Sequence, residues 1–551
     1  MLMIQSKFNF RNISNMFWLN NSLFLFNFVF IILFCTIAMD SMNRRRRNMT
    51  TFLDKETIKK LEIIEFLVEN NGIALDSTIS TALAMDKRTL LKLIKLIQND
   101  LLFFNVENKV TLEINHSNKE INITFKSNFT LSELNLQYHK KSLNYIITKD
   151  IFFQNFPNPH HWANENYLST STLVRRLKEY TEFLTQYELV YDRAQPDTIS
   201  GSEHQIRYFY FIFFWETHTT LEWPFPSIEK NKLIHFFSEN QEIFSYLSVI
   251  DLERFMYLIS ISIHRIQSNN MIDYKYIYEE IENYSVSYYE FEKIIRELLE
   301  SFLGDFRNID NELIFLYFIS NIIGTFSMDS FKTIDVSFLT SSHSSLSVPA
   351  QSSLLWIDSF TKYFAVNLTP KQMLFLTTNL VSLHTQVLYF TGSINIYGSN
   401  NSNNYVQEKY LLASTTIKKF TEHLNKTTDF PFNIAEFTYL NTQYTLLTLD
   451  ILKKKITPLN VCLFSSINNE FPEILKKELS YHIFFPLIIT NEVLPETDLI
   501  IADFFIDKAL AEGKKSFQWN NFPTKQDWGK LIHIIDLFYM HQLDLELNVL
   551  S

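Results

Sequence analysis

Four hydroxyl residues in a row, Ser169, Thr170, Ser171 and Thr172, stand just ahead of Arg175, Arg176 and Lys178. Hydroxyls of this kind cap a helix N-terminus and reach phosphate oxygens, while arginines reach base edges or the sugar-phosphate backbone. A helix opened this way has the equipment of an element that reads duplex DNA. On an isolated helix the same residues are more simply a solvated face, with Thr170 and Ser171 serving as caps, so the surroundings carry weight. Here two short strand-like runs, 189–191 and 198–200, follow as a β-wing. Ile199-Ser-Gly-Ser-Glu-His-Gln-Ile-Arg207 then leads into an aromatic run over 208–215 that reads as buried helix. A second and weaker basic set, Lys87, Arg88, Thr89 and Lys92, opens another helix upstream.

The elements that must hold these residues are legible in the apolar spacing. Residues 56–70 read as a helix closed by Asn71-Gly72, and 76–83 as a short second helix. Ala84-Met85-Asp86 is a tight turn with Asp86 as N-cap, and 87–101 a third helix with Leu90, Leu91, Ile94 and Ile97 inward. Helix, short helix, turn, helix is the helix-turn-helix plan, and 110–114 with 120–125 alternate like wing strands. A second unit begins near Lys149. Its first helix is expected to be interrupted by Pro157 and Pro159, and its recognition helix spans 169–187. Residues 215–328 and 329–456 read as two helical blocks, the second with an exposed polar loop at Gly398-Ser-Asn-Asn-Ser-Asn-Asn404. After residue 457, strands at 460–464, 483–489 and 499–501 alternate with helices at 471–480 and 525–537, which implies a small α/β domain.

Scarce Gly (8) and Pro (13) in 551 residues agree with a mainly α, multidomain chain. Two cysteines, Cys35 and Cys462, exclude a disulfide framework and no Cys/His cluster has zinc spacing, so the expected compartment is the cytoplasm. His160-His161 lacks partner ligands; no metal or cofactor is expected. The net charge of −11 is unusual for a DNA binder, yet most of the acidity lies after residue 200, and affinity depends on local charge near phosphate. Residues 1–48 hold an apolar run over 23–38 followed by four arginines at 44–47. The favoured reading is a start at Met49, because AGA/AGG arginine codons resemble a ribosome-binding site just upstream. The alternative is a membrane anchor held by the arginines.

Leu168-Ser-Thr-Ser-Thr-Leu-Val-Arg-Arg-Leu-Lys178 and Ile199-Ser-Gly-Ser-Glu-His-Gln-Ile-Arg207, with its aromatic continuation, resemble the Mga family of bacterial transcription regulators, which includes the AtxA-type virulence regulators. The resemblance implies helix-turn-helix domains at 49–130 and 131–214 and phosphotransferase-system regulatory domains at 215–328 and 329–456. It further implies a domain like a sugar phosphotransferase IIB component at 457–551. It implies an activator that binds double-stranded DNA, works with RNA polymerase, dimerises through the C-terminal domain, and is phosphorylated by phosphotransferase-system donor proteins. His264, in Ile261-Ser-Ile-His-Arg-Ile266, and His384, in Leu383-His-Thr-Gln-Val-Leu-Tyr-Phe390, resemble the phosphoacceptors, although a satisfied core histidine is the plainer reading of each. The IIB resemblance breaks at its chemistry: Cys462 lies within a strand and no glycine follows it. No catalytic residue is therefore expected, and the domain is read as retained for assembly. The alternatives are an RNA-binding antiterminator, which the tandem helix-turn-helix units disfavour, and a membrane-anchored regulator.

Overall fold

The computed structural model describes residues 52–550, apart from 116, 127, 246, 274–287, 305–308, 324–346, 393–405, 408, 468–469 and 508–512. The expectations for residues 1–48 and for the polar loop at 398–404 lie outside the described residues. Among the described residues no helix is long and apolar enough to cross a membrane. The described residues are mainly α-helical with three small sheets. The chain divides into two compact units, Met1–Tyr145 and Ile146–Ser551.

In the first unit α1 (Lys55–Glu69) is capped by Asp54, whose carboxylate accepts the backbone N–H groups of Glu56 and Thr57. It ends through Asn71 and Gly72, both at positive φ. A Cβ on Gly72 would lie 2.6 Å from the carbonyl oxygen of Ile123, so only glycine fits. β1 (Ile73–Leu75), α2 (Asp76–Ala82), α3 (Lys87–Phe103), β2 (Val110–Asn115) and β3 (Glu120–Phe125) follow, with antiparallel strand order β1-β3-β2. Asp86 caps α3 by accepting the Thr89 N–H at 2.9 Å. Leu90, Leu93, Ile94 and Ile97 face the core, whereas Leu91, expected inward, is only half-buried. This is a winged helix-turn-helix arrangement.

α4 (Leu131–Lys141) completes that core. Asp100 on α3 is buried and accepts Lys60 Nζ from α1 and Lys141 Nζ from α4, each at 2.8 Å. Burial opposes its charge, but the bonds from Lys141 and Lys60 outweigh it and hold the carboxyl below its ordinary value.

α5 (Leu143–Phe152) opens the next helix-turn-helix, followed by α6 (Pro159–Glu165) and α7 (Thr170–Leu184). The expected interruption at Pro157 and Pro159 is a clean break between two helices. α5 stops before Pro157, and Pro159 takes the first position of α6, where a missing N–H costs nothing. Asn158 caps α6 through the His160 and His161 N–H groups. The wing is two residues per strand, β4 (Val190–Tyr191) and β5 (Ile199–Ser200), paired antiparallel.

α8 (Glu203–His218) carries the aromatic run and is buried along nearly its whole length. α9 (Lys230–Glu239), α10 (Gln241–Phe244), α11 (Val249–Gln267), α12 (Tyr288–Leu303) and α13 (Asp310–Ile323) follow, and α11 packs along α8. Arg207 on α8 is 0% exposed and is paired with Glu203 and with Glu312 of α13. Its guanidinium also donates to the Asn270 carbonyl at 3.1 Å. Glu203 in turn holds Arg265 of α11 at 2.6 Å. Burial opposes the Arg207 charge, and the Glu312 and Glu203 carboxylates outweigh it, holding the group above its ordinary value.

α14 (Val348–Tyr363), α15 (Pro370–Tyr389), α16 (Leu411–Thr427) and α17 (Thr438–Lys455) share one apolar core with the C-terminal α/β part. That part consists of β6 (Leu459–Phe464), α18 (Phe471–His482), β7 (Leu487–Thr490), β8 (Leu499–Ala502), β9 (Lys515–Gln518) and α19 (Lys525–Leu550), with an all-parallel sheet in the order β7-β6-β8-β9. β9 is not legible in the sequence, because Lys-Ser-Phe-Gln offers a single buried apolar residue. The expected strand over 483–489 begins only at Leu487, with Ile483 and Phe485 buried in the approach to it.

Replacing Asp100 with alanine leaves the buried Lys60 with only the longer, solvent-exposed pairing to Glu56 at 3.4 Å. The expected loss is about 3–5 kcal/mol of stability in the first unit. Hydrogen exchange reads this as reduced amide protection in α1, α3 and α4, and unchanged protection removes the role assigned to Asp100.

Candidate nucleic-acid interface

α7 is anchored from below and bare above. Leu173, Leu177, Tyr180, Phe183 and Leu184 are buried, and Phe183 meets Phe209 of α8 with ring centroids 6.1 Å apart. The Ser169 hydroxyl caps the helix by accepting the Thr172 N–H at 3.1 Å, and lies 3.0 Å from Ser171 Oγ and 2.8 Å from Thr172 Oγ1. Ser169, Thr170, Ser171, Arg175 and Lys178 are exposed, while Thr172 is half-buried. Arg176 is set apart from the others: it is half-buried and turned along the helix to Glu179 at 2.9 Å. Two residues on this face escaped the sequence reading. Val174 is 60% exposed in its middle, a position the helical period discloses once the buried side is known. Tyr167, just before the cap, is 98% exposed at φ +55, and no periodicity signals it.

α3 presents a different face. Arg88 and Lys92 are exposed, and Thr89 is half-buried with its hydroxyl on Asp86 at 2.6 Å. Lys87 Nζ is paired with Asp76 at 2.6 Å, and that hydrogen bond holds the Asp76 carboxyl below its ordinary value. Lys87 is therefore already committed, although its side chain remains 53% exposed.

The two histidines lie in unlike environments. His264, on α11, is half-buried, with Nε2 2.6 Å from the backbone oxygen of Phe152 at the end of α5. A carbonyl oxygen only accepts, so Nε2 carries the proton and Nδ1 the lone pair. The ring lies against Phe152 and Phe153, with centroids at 4.4 and 5.3 Å. Burial lowers its pKa, the Phe152 bond raises it in part, and Arg265 lowers it further. His384, on α15, is 0% exposed. Its Nδ1 lies 2.8 Å from Ser352 Oγ and 3.1 Å from Ser353 Oγ, and its Nε2 lies 2.9 Å from the Tyr444 hydroxyl. Burial pushes its pKa down to about 3.

α15 also runs to the helix-turn-helix. Just past its end, Phe390 stacks on Tyr208 with centroids 4.4 Å apart, and Thr391 exchanges two hydrogen bonds with the Gln205 amide, at 2.7 and 3.1 Å. Gly392, at φ +109, lies flush against the ring of Tyr187, where any Cβ would overlap that ring.

Cys462 is 0% exposed within β6, and burial pushes its thiol up to about 11, the reverse of an activated thiolate. Beyond that strand Asp503 accepts the Ser466 N–H and the Ser465 hydroxyl, each at 2.7 Å. The chain's own carboxylate thus sits on donors that could otherwise face an anion. Among the described residues no group of three His, Cys, Asp or Glu side chains is placed to hold a metal.

Residues 127–214 match the Mga helix-turn-helix domain. The chain is also 22% identical, over 90% of its length and all of the relative, to a Streptococcus pneumoniae protein described as a trans-acting regulator. Residues 127–214 are thus a helix-turn-helix domain of the Mga type. A shorter similarity joins it to the capsule synthesis positive regulator AcpA of Bacillus anthracis, 23% identical over 40% of this chain and 45% of that protein. The Mga match runs from just before α4 through α7 and the wing into α8, so it contains the exposed α7 face and Arg207.

A folded value of about 3 for His384 lies below the unfolded ~6.5, so the unfolded chain takes up the proton first. The stability it contributes is full above about pH 6.5 and is lost as pH falls. By pH 5 the loss reaches about 2 kcal/mol at 1.36 kcal/mol per unit. Urea midpoints of the wild type and of His384→Gln at pH 7 and pH 5 check this: the variant should show the smaller fall.

Proposed function

We propose that this chain is a DNA-binding transcription activator that places α7 in the major groove and sets its wing beside the backbone. The exposed face of Thr170, Ser171, Arg175 and Lys178, capped by Ser169 and backed by a buried apolar side, carries the reading. Arg175 and Lys178 reach base edges or phosphates, and the hydroxyls reach phosphate. α3 adds Arg88 and Lys92, with Lys87 and Thr89 in supporting positions. The positive regulator among the relatives supports the sign of the effect.

In this reading 49–130 and 131–214 bind double-stranded DNA, 215–328 and 329–456 are regulatory, and 457–551 assembles a homodimer without catalysis. RNA polymerase is the downstream partner and the cytoplasm the working compartment. Control runs through His264. A phosphohistidine donor protein of the phosphotransferase system transfers its phosphoryl group to the imidazole and regains its own free imidazole. Nδ1 carries the lone pair and takes the phosphoryl group, so a dianion is added to a half-buried ring packed against Phe152 and Phe153, an arrangement that desolvation opposes. The end of α5 must shift. His384 has both ring nitrogens engaged in a sealed site, so its phosphorylation first requires α14, α15 and α17 to separate.

Changing Arg175 and Lys178 together to alanine should weaken duplex binding by the full-length protein at least tenfold. The slope of log affinity against log salt should fall by about one for each phosphate that no longer has a cation beside it. Retained affinity and slope would dismiss α7 as the reading helix. For control, His264→Ala and His264→Asp should give promoter outputs that differ from the wild type and from each other; three equal outputs would dismiss regulation at this residue.

A further inference from the structure

Every exposed neighbour of Val174 on α7 can hydrogen-bond, and Val174 cannot. Thr170 and Ser171 lie one turn before it, Lys178 one turn after, and Arg175 beside it. Side chains on a helix lean toward its N-terminus, so the two methyl groups lie over the turn of Thr170 and Ser171. Both of those residues are short and leave the methyls accessible. The other apolar residues of α7 from Leu173 to Leu184 are buried, so this one remains 60% exposed in the middle of a polar face.

α3 supplies an internal contrast. Both helices are capped by the same bond, from the N-cap side chain to the third backbone N–H. Counted from that cap, Lys92 corresponds to Arg175 and Lys95 to Lys178, so the outer cations agree. The position of Val174 is held in α3 by the half-buried Leu91, and those of Thr170 and Ser171 by the long cations Lys87 and Arg88. α7 alone combines an exposed apolar centre with short neighbours that let a surface close onto it.

In the major groove the apolar group on a base edge is the C5-methyl of thymine. Resting on the reading of α7 as the DNA-facing helix, we propose that Val174 contacts the methyl group of a thymine in the bound site and so specifies that base pair. Arg175 and Lys178 flank the contact and hold the helix at the depth it requires. The contact is dry, and its contribution comes from burying the two apolar groups against each other.

The test uses the full-length protein and a pool of short duplexes with a randomised centre. The duplex most enriched by the wild type is remade with deoxyuridine in place of each thymine in turn, which removes only the methyl. At one thymine position the wild type should lose about fourfold in affinity, the equivalent of ~0.8 kcal/mol for one buried methyl-sized group. Val174→Ala, a change at an exposed position to a better helix former, should bind the uracil and thymine duplexes equally at that position. No effect of uracil at any position, or an equal effect in Val174→Ala, overturns the proposal. Failure of the underlying reading has a different signature, since duplex binding would then survive the double change at Arg175 and Lys178.

Discussion

A guanidinium with no access to water has to be neutralised by the protein around it, and Arg207 sets the terms for the second unit. It follows the wing by only a few residues, yet its partners Glu203 and Glu312 and the Asn270 carbonyl come from α8 itself, from α13 and from the segment after α11. Glu203 is shared with Arg265, so two cations and two carboxylates form one buried network. Such a network adds little net stability, but any arrangement that separates a partner leaves a charge buried and unpaired. The helices that frame the helix-turn-helix and those that carry His264 are therefore held in one register.

That register gives the two histidines different relations to the same target. His264 touches α5 directly through its own ring, so chemistry on the imidazole acts on the contact itself. His384 stands away from the helix-turn-helix, but the helix that bears it ends in Phe390, Thr391 and Gly392 against Tyr208, Gln205 and Tyr187. The first histidine is a contact, and the second is part of the packing of a lever.

Most of the helix-turn-helix architecture could be read from the sequence because its signals are local. Asp86 and Ser169 are caps, Asn71-Gly72 is a stop, and the apolar residues of α3 and α7 recur at 3.6-residue spacing. What failed was non-local. Arg207 stands in a motif just after α7 and the wing, and nothing in its neighbours announces a carboxylate arriving from residue 312. Pro159 reads as an interruption, but that it also opens the next helix shows only once the chain is seen to stop at Phe152. Arg176 reads as a twin of Arg175, and only the path of the helix over its core tells the exposed arginine from the half-buried one. β9 has too little apolar pattern to be seen, because a neighbouring strand supplies its pairing.

Gly392 has a mechanical consequence. With no side chain between the end of α15 and the ring of Tyr187, the two surfaces meet without a compressible layer. Tyr187 closes the turn directly below α7 and packs on Phe209 at 5.1 Å. In a machine, the gap between two meshing parts is backlash, the travel wasted before one moves the other. At this joint there is almost none, so the end of α15 and the foot of α7 meet without slack.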